Sequence, residues 1–198
     1  MGKEKHKVLY NEKKIKARVK ELADQISAEY EGKKPYLVVV LKGAVLFASD
    51  LMREQRMKDE IVDVIIDGDA VFLEADSHKF LSLYTEAEDG ARGIVIILHG
   101  RGFHPDWQDT INPLRVGLTE FGWDTLSVQM PVLEKQAKYF DYVPLFPEAS
   151  TRIDAAIKFA REQGNKKIVL LAHSCGVHMA MAWVDAQTES VSQKIDAF

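Results

Sequence analysis

Ile168-Val169-Leu170-Leu171-Ala172-His173-Ser174-Cys175-Gly176 runs an apolar strand straight into a short polar turn, and Val177 to Ala186 continues as a helix. A serine at such a strand-to-helix turn has its hydroxyl lifted toward solvent, and the helix start behind it can stabilise developing negative charge. The same rhythm extends back along the chain. Ile94–Leu98 reads as a strand leading into His99-Gly100-Arg101-Gly102, followed by a helix around Thr110–Phe121 and a strand at Asp124–Gln129 before Pro131. Lys135–Pro147 is an irregular aromatic excursion over the surface, Ser150–Gln163 a helix closed by Gly164, and the last residues a frayed end. Strands that alternate with helices imply parallel pairing through crossovers.

Toward the N-terminus the pattern changes. Ile61–Ile66 and Val71–Leu73 alternate as strands around the turn signal Asp67-Gly68-Asp69. Phe80–Tyr84 makes another short strand, and Glu86–Gly90 a polar turn. Ahead of this patch, Ile15, Val19, Leu22 and Ile26 mark an amphipathic helix over Glu12–Tyr30, with Asn11 as N-cap and Gly32 as terminator. Tyr36–Leu41 is a buried parallel strand, broken at Lys42-Gly43 before a helix over Ala44–Arg53. The expected fold is α/β: a three-layer sandwich with a mostly parallel sheet and an antiparallel hairpin at the junction. Residues 1–60 and 61–198 are expected to share that sheet as one domain.

Composition narrows the function. With 198 residues, 46% hydrophobic, 28% charged and a net charge of -4, the chain lacks the basic balance that binds nucleic acid, so no nucleic-acid partner is expected. The single cysteine, Cys175, excludes an internal disulfide and fits a cytoplasmic setting. The basic start Met1–Lys7 is a solvated tail with no apolar segment after it, and no apolar run is long enough to span a bilayer, so no membrane partner is expected.

Two clusters carry chemistry. Leu41-Lys42-Gly43 presents backbone amides and an ammonium at a strand end, as a phosphate site requires, although a lysine capping a turn would read the same way. The stretch from Val8 to about Gln55, with Val8-Leu9-Tyr10, Val19-Lys20-Glu21-Leu22 and Val40-Leu41-Lys42-Gly43-Ala44, closely resembles the start of bacterial hypoxanthine-guanine phosphoribosyltransferases. The resemblance implies that Leu41, Lys42 and Gly43 contact pyrophosphate, with Mg²⁺ as cofactor only on that reading; otherwise no cofactor is expected. That family also needs paired acids, an Asp-Thr-Gly-rich loop and a purine-reading segment. The nearest counterpart, Ile61–Asp69, lacks the acid pair and the Thr/Gly run, and reads as a plain hairpin whose Asp-Gly makes the turn.

The second cluster lies in the rear part. A His-Gly pair after a strand offers free backbone N–H groups, as an oxyanion hole requires. Arg92–Gly100, His104-Pro105-Asp106-Trp107, Gly122–Leu126 and Ala172-His173-Ser174-Cys175-Gly176 together resemble a bacterial branch of the α/β-hydrolases, over about Phe72 to Val184. The resemblance implies Ser174 as nucleophile and His99, Gly100 and Cys175 as the oxyanion hole. The elbow opens with Ala172 where glycine is usual. The histidine after the serine, His178, is too near in sequence to act as the usual base; Asp185 and Asp196 follow, with no later histidine. The rear part thus reads as the first half of a hydrolase sheet with an incomplete triad and weak turnover at most.

The plainer readings of these residues stand beside this one. Ser174 could be a turn residue and His99 a loop histidine. Cys175 reads as a small buried thiol, although a helix start lowers a thiol pKa. His173, Cys175 and His178 lack a carboxylate at matching spacing, so no metal is expected. Trp107, Trp123 and Trp183 read as packing. Three functions follow: an ester or acyl hydrolase acting on a small molecule of unknown identity, a nucleotide or phosphoribosyl-phosphate binder, or a non-catalytic module that forms a homodimer through an open sheet edge. A join of this kind is that of a chimera, a recombined fragment or a designed protein.

Overall fold

A computed structural model of the chain describes residues 61–198, except Ser77, Glu134, Lys135, Thr188, Glu189 and the side chain of His78. All of these belong to one compact unit, Leu41–Phe198. The helices expected before residue 61, the strand at Tyr36–Leu41 and the Leu41-Lys42-Gly43 loop lie outside the described residues.

Among the described residues, five strands form one sheet in the order β1-β2-β4-β3-β5: β1 (Asp69–Ala75), β2 (His78–Thr85), β3 (Ile94–Leu98), β4 (Asp124–Val128) and β5 (Ile168–Ala172). β2 pairs antiparallel with β1 and with β4, while β3 pairs parallel with β4 and with β5, so four strands run one way and β2 alone is reversed among the described strands. Among the described residues, helices α1 (Ile111–Gly117), α2 (Phe146–Glu162) and α3 (Cys175–Asp185) cover the faces.

The alternation of side chains along a strand decides which helix lies where. Ile94, Ile96 and Leu98 of β3 join Ile168 and Leu170 of β5 in packing against Ile153, Ala156 and Ile157 of α2 and Met179, Ala180 and Trp183 of α3. Val95 and Ile97 face the other way, with Val169 and Leu171, against Ile111 and Leu114 of α1. β3 is buried along its whole length because both faces are covered, which explains its unbroken apolar run. The result is the three-layer α/β sandwich that the sequence implies.

Three expectations are corrected. Ile61–Ile66 is not a strand: Ile61 and Ile65 pack against Leu81 and Leu83, but Val64 and Ile66 are 68% and 92% exposed. A short helical turn ends there, with the N–H groups of Val64 and Ile65 bonded to the Ile61 carbonyl. The hairpin turn is accordingly not at Asp67-Gly68-Asp69, which leads into β1 with Asp69 as its first residue, but between β1 and β2, where Asp76 takes φ +46°. The final residues are not frayed. Ala197 bridges Val169 in parallel, the Leu170 N–H donates to the Ala197 carbonyl, and the Ile168 N–H donates to Asp196 Oδ2 at 2.8 Å. Residues beside an open strand edge find backbone partners there.

Smaller differences concern ends. The aromatic excursion contains a 3-10 helix at Tyr139–Leu145, and α2 starts at Phe146 rather than Ser150, with Pro147 in its first turn. The helix expected at Thr110–Phe121 divides into α1 and a 3-10 turn at Leu118–Phe121.

One buried charge holds the loop after β3 to the sheet. Arg115 on α1 is 1% exposed and meets Asp106 Oδ1 through Nη2 at 2.7 Å and Nε at 3.2 Å. Its Nη1 donates to Thr85 Oγ1 at 2.7 Å and to the Asp67 carbonyl. Asn112 Nδ2 donates to the same Asp106 oxygen at 2.8 Å, and Ser127 Oγ donates to the Pro105 carbonyl at 2.7 Å. The His-Pro-Asp-Trp motif is therefore a structural joint. Arg115→Ala strands a buried carboxylate, and chemical denaturation should show a loss of about 3–5 kcal/mol; an unchanged midpoint would remove this joint from the account.

Candidate active site

The elbow forms where β5 meets α3. Ser174 takes φ +55° and ψ −122°, one of two positive-φ residues other than glycine among the described residues, and its side chain is exposed. A serine in that conformation costs on the order of 1–3 kcal/mol and persists only where its surroundings hold it. Two glycines do the holding. A Cβ on Gly100 would lie 2.9 Å from Ser174 Cβ and 3.2 Å from the His173 carbonyl. A Cβ on Gly176 would lie 2.7 Å from the carbonyl oxygens of both Leu98 and His99. The loop after β3 and the turn after β5 thus interlock backbone to backbone, and the His173 N–H donates to the Leu98 carbonyl at 2.9 Å.

His99 fixes this loop from below. Its Nε2 accepts the Met130 N–H at 3.0 Å, which leaves the proton on Nδ1, 2.9 Å from the Gly100 carbonyl. Gln129 Nε2 also approaches Nε2 at 3.1 Å. Burial pushes the imidazole pKa down to about 3; the Gly100 carbonyl opposes this, and the nearby His104, Arg152 and His173 reinforce it. Nε2 ties the end of β3 to the end of β4 while Nδ1 is held within its own loop by the Gly100 carbonyl, so both ring nitrogens are engaged and the ring is a tie and not a base.

A cavity of about 250 Å³ opens above the elbow, lined by Arg101, Tyr139, Ser174, Cys175 and His178. Cys175 is the first residue of α3, so its N–H has no acceptor within the helix and is free to take part in an oxyanion hole. Its thiol is buried, and burial raises its pKa against the opposing charge of Arg101, contrary to the lowering expected from a helix start. His178 shares the cavity and packs edge-on against Tyr139, with ring centroids 4.9 Å apart. Among the described residues no hydrogen bond joins it to Ser174, and no carboxylate lines the cavity.

Of the expected site residues, Ser174, Gly100 and Cys175 come together, and His99 lies beneath them as a support. Leu41, Lys42 and Gly43 lie outside the described residues. Among those residues there is no cluster of three or more metal-ligating groups, and no helix is long and apolar enough to cross a membrane. Trp107 stacks on Phe103 at 4.5 Å, and Trp183 is wholly buried with its Nε1 on Asp154 Oδ1 at 3.0 Å. Trp123 packs against the α1 cluster. Sequence reading missed Arg101 and Tyr139. Arg101 stands in the quoted His-Gly-Arg-Gly loop and was open to notice; Tyr139 lies in the stretch read as a surface excursion. A second hollow, about 360 Å³ between Asp154, Lys158, Arg161, Glu162 and Lys194, has no serine, cysteine or histidine among its described lining residues.

This sheet order, with a strained serine between β5 and α3, defines an α/β-hydrolase-type fold. A PEG-bound cold-adapted esterase from an Arctic intertidal metagenomic library matches it with a TM-score of 0.50 and 19% identity, over 65% of this chain and 57% of that one. Est1E from Butyrivibrio proteoclasticus matches with a TM-score of 0.47 and 19% identity, over 64% and 47%. The chain belongs to the family described as "Protein of unknown function (DUF3530)", whose model matches residues 43–142. A separate similarity joins 47 residues, 24% of this chain, to the hypoxanthine-guanine phosphoribosyltransferase of Streptococcus mutans serotype c at 51% identity. The chain spans only 26% of that relative. The two-part resemblance of the sequence is thus real on both sides.

Protonation of His99 gives a direct check. Its folded pKa is lowered, so the unfolded chain binds the extra proton below pH ~6.5, and stability present above that pH is lost as pH falls toward 3. Urea melts should lose about 1 kcal/mol per pH unit over this range, a slope that His99→Gln flattens. Equal slopes for both proteins would contradict the buried neutral ring.

Proposed function

We propose that this chain is an ester or acyl hydrolase of low turnover with Ser174 as its nucleophile. The observation that carries the reading is the conformation of Ser174: a strained, exposed serine between a parallel strand and a helix start, packed against a His-Gly loop. The fold shared with an esterase of known structure supports it.

Ser174 Oγ attacks the acyl carbon, the alkoxide leaves, and the serine is acylated; water then releases the acid. The N–H groups of Gly100 and Cys175 stabilise the developing oxyanion. With no acid among the described residues that line the cavity beside His178, general-base help is weak, and the serine proton passes to solvent. Each missing partner of a triad costs orders of magnitude in rate, while the oxyanion hole alone retains roughly 10³–10⁴-fold over water. Activated esters with good leaving groups are therefore the substrates on which turnover is seen. The phosphoribosyltransferase-like start contributes no chemistry on this reading, and the chain as a whole is a join between two ancestries.

The test is hydrolysis of p-nitrophenyl acetate by the whole chain. Slow turnover above background, with an acetyl group on Ser174 detectable by mass spectrometry, is expected, the rate falling in Ser174→Ala toward what the oxyanion hole alone sustains. A Ser174→Ala protein that kept the full rate would sink the assignment.

A further inference from the structure

We propose that Arg101 makes this cavity selective for short esters that carry a carboxylate. The inference rests on the reading of Ser174 as nucleophile and names the substrate class of that site. Arg101 follows Gly100, whose backbone lies against Ser174, and its side chain lines the same cavity as Ser174 and Cys175. One guanidinium nitrogen, Nη1, donates to the Ala137 carbonyl at 3.1 Å, which anchors the side chain to the segment that brings Tyr139 to the rim. That anchor uses one of five N–H donors; the rest of the fork is available to a ligand.

Among the described residues the charge has no counterpart. The other lining residues, Tyr139, Ser174, Cys175 and His178, include no acid, and among the described residues no carboxylate forms an ion pair with Arg101. The same charge is felt at Cys175, beside the nucleophile. A guanidinium held in this way matches a carboxylate in two-point fashion, and the α3 N-terminus adds to the positive potential. The volume of about 250 Å³ falls below the range of roughly 300–1,000 Å³ typical of drug-sized ligands. The site therefore takes a short chain: a carboxylate a few bonds from the scissile ester, as in a hemisuccinate.

Two measurements test this. The first compares kcat/KM for p-nitrophenyl hemisuccinate and the neutral p-nitrophenyl butyrate. The wild-type chain should favour the anionic ester by about tenfold or more, the scale of one charge-assisted hydrogen bond. Arg101→Gln should bring the ratio to near one, and Arg101→Lys should restore part of it. Equal losses on both esters would assign Arg101 to the chemistry instead of selection and overturn the proposal, as would an unchanged ratio. The second measures succinate binding by NMR titration to Ser174→Ala and to Arg101→Gln, each shown folded by circular dichroism. Binding to the former and a tenfold or greater loss in the latter supports the carboxylate site even where neither ester is turned over, an outcome that would remove the nucleophile reading alone. Equal binding to both variants, or none to Ser174→Ala, overturns the carboxylate site whatever the esterase result.

Discussion

Backbone packs on backbone where the loop after β3 meets the turn after β5, and much of the described structure is arranged around that contact. Gly100 leaves room for Ser174, and Gly176 leaves room for the carbonyls of Leu98 and His99. Neither glycine is there for flexibility. Each removes a Cβ that would otherwise sit inside another residue's atoms, and overpacking of that kind against main-chain atoms has nowhere to relax. The parallel pairing of β3 with β5 brings the two loops to the same end of the sheet, from Ile94 opposite Ile168 to Leu98 opposite Ala172. The strain at Ser174 is sustained because both sides of this contact are fixed.

They are fixed by buried polar groups as much as by apolar packing. His99 links the end of β3 to Met130 beyond β4. Arg152 on α2 donates to the Gln129 carbonyl at 2.7 Å and lies over the Phe80 ring, which extends the same support to β2. On the opposite face, Arg115 and Asp106 hold the loop that follows His99-Gly100. Such groups specify one arrangement strongly because an unpaired alternative is costly. The cavity bordered by Ser174, Cys175 and Arg101 thus stands on a rigid base.

Much of this was legible in the sequence, for a physical reason. β3 and β5 are apolar runs that end in polar turns, and burial on both faces gives such strands a signal that survives without context. The elbow was legible too, since Ser174 and Gly176 occur at fixed offsets from the strand end. Ile61–Ile66 misled because alternation was present without a partner strand to receive it. The terminal residues misled because backbone pairing on the β5 edge depends on tertiary proximity, not on side-chain pattern. The Asp106–Arg115 pair joins residues nine apart around a loop, and its burial depends on packing that no local pattern reveals. Tyr139 reaches the site only through the path of an irregular segment. Cys175 shows the limit of a local rule: a helix start favours the thiolate, but burial outweighs it.

We propose that the fold holds Ser174 in a reactive elbow, in the strained backbone that the His-Gly loop supports. Covalent trapping tests this without requiring turnover. The folded chain is incubated with a small alkyl fluorophosphonate, digested, and the modified peptide sequenced by mass spectrometry. The account predicts a phosphonyl adduct on Ser174 that forms in the native protein and is absent after denaturation in urea. No adduct on Ser174, or equal labelling of the native and unfolded chains, would contradict it.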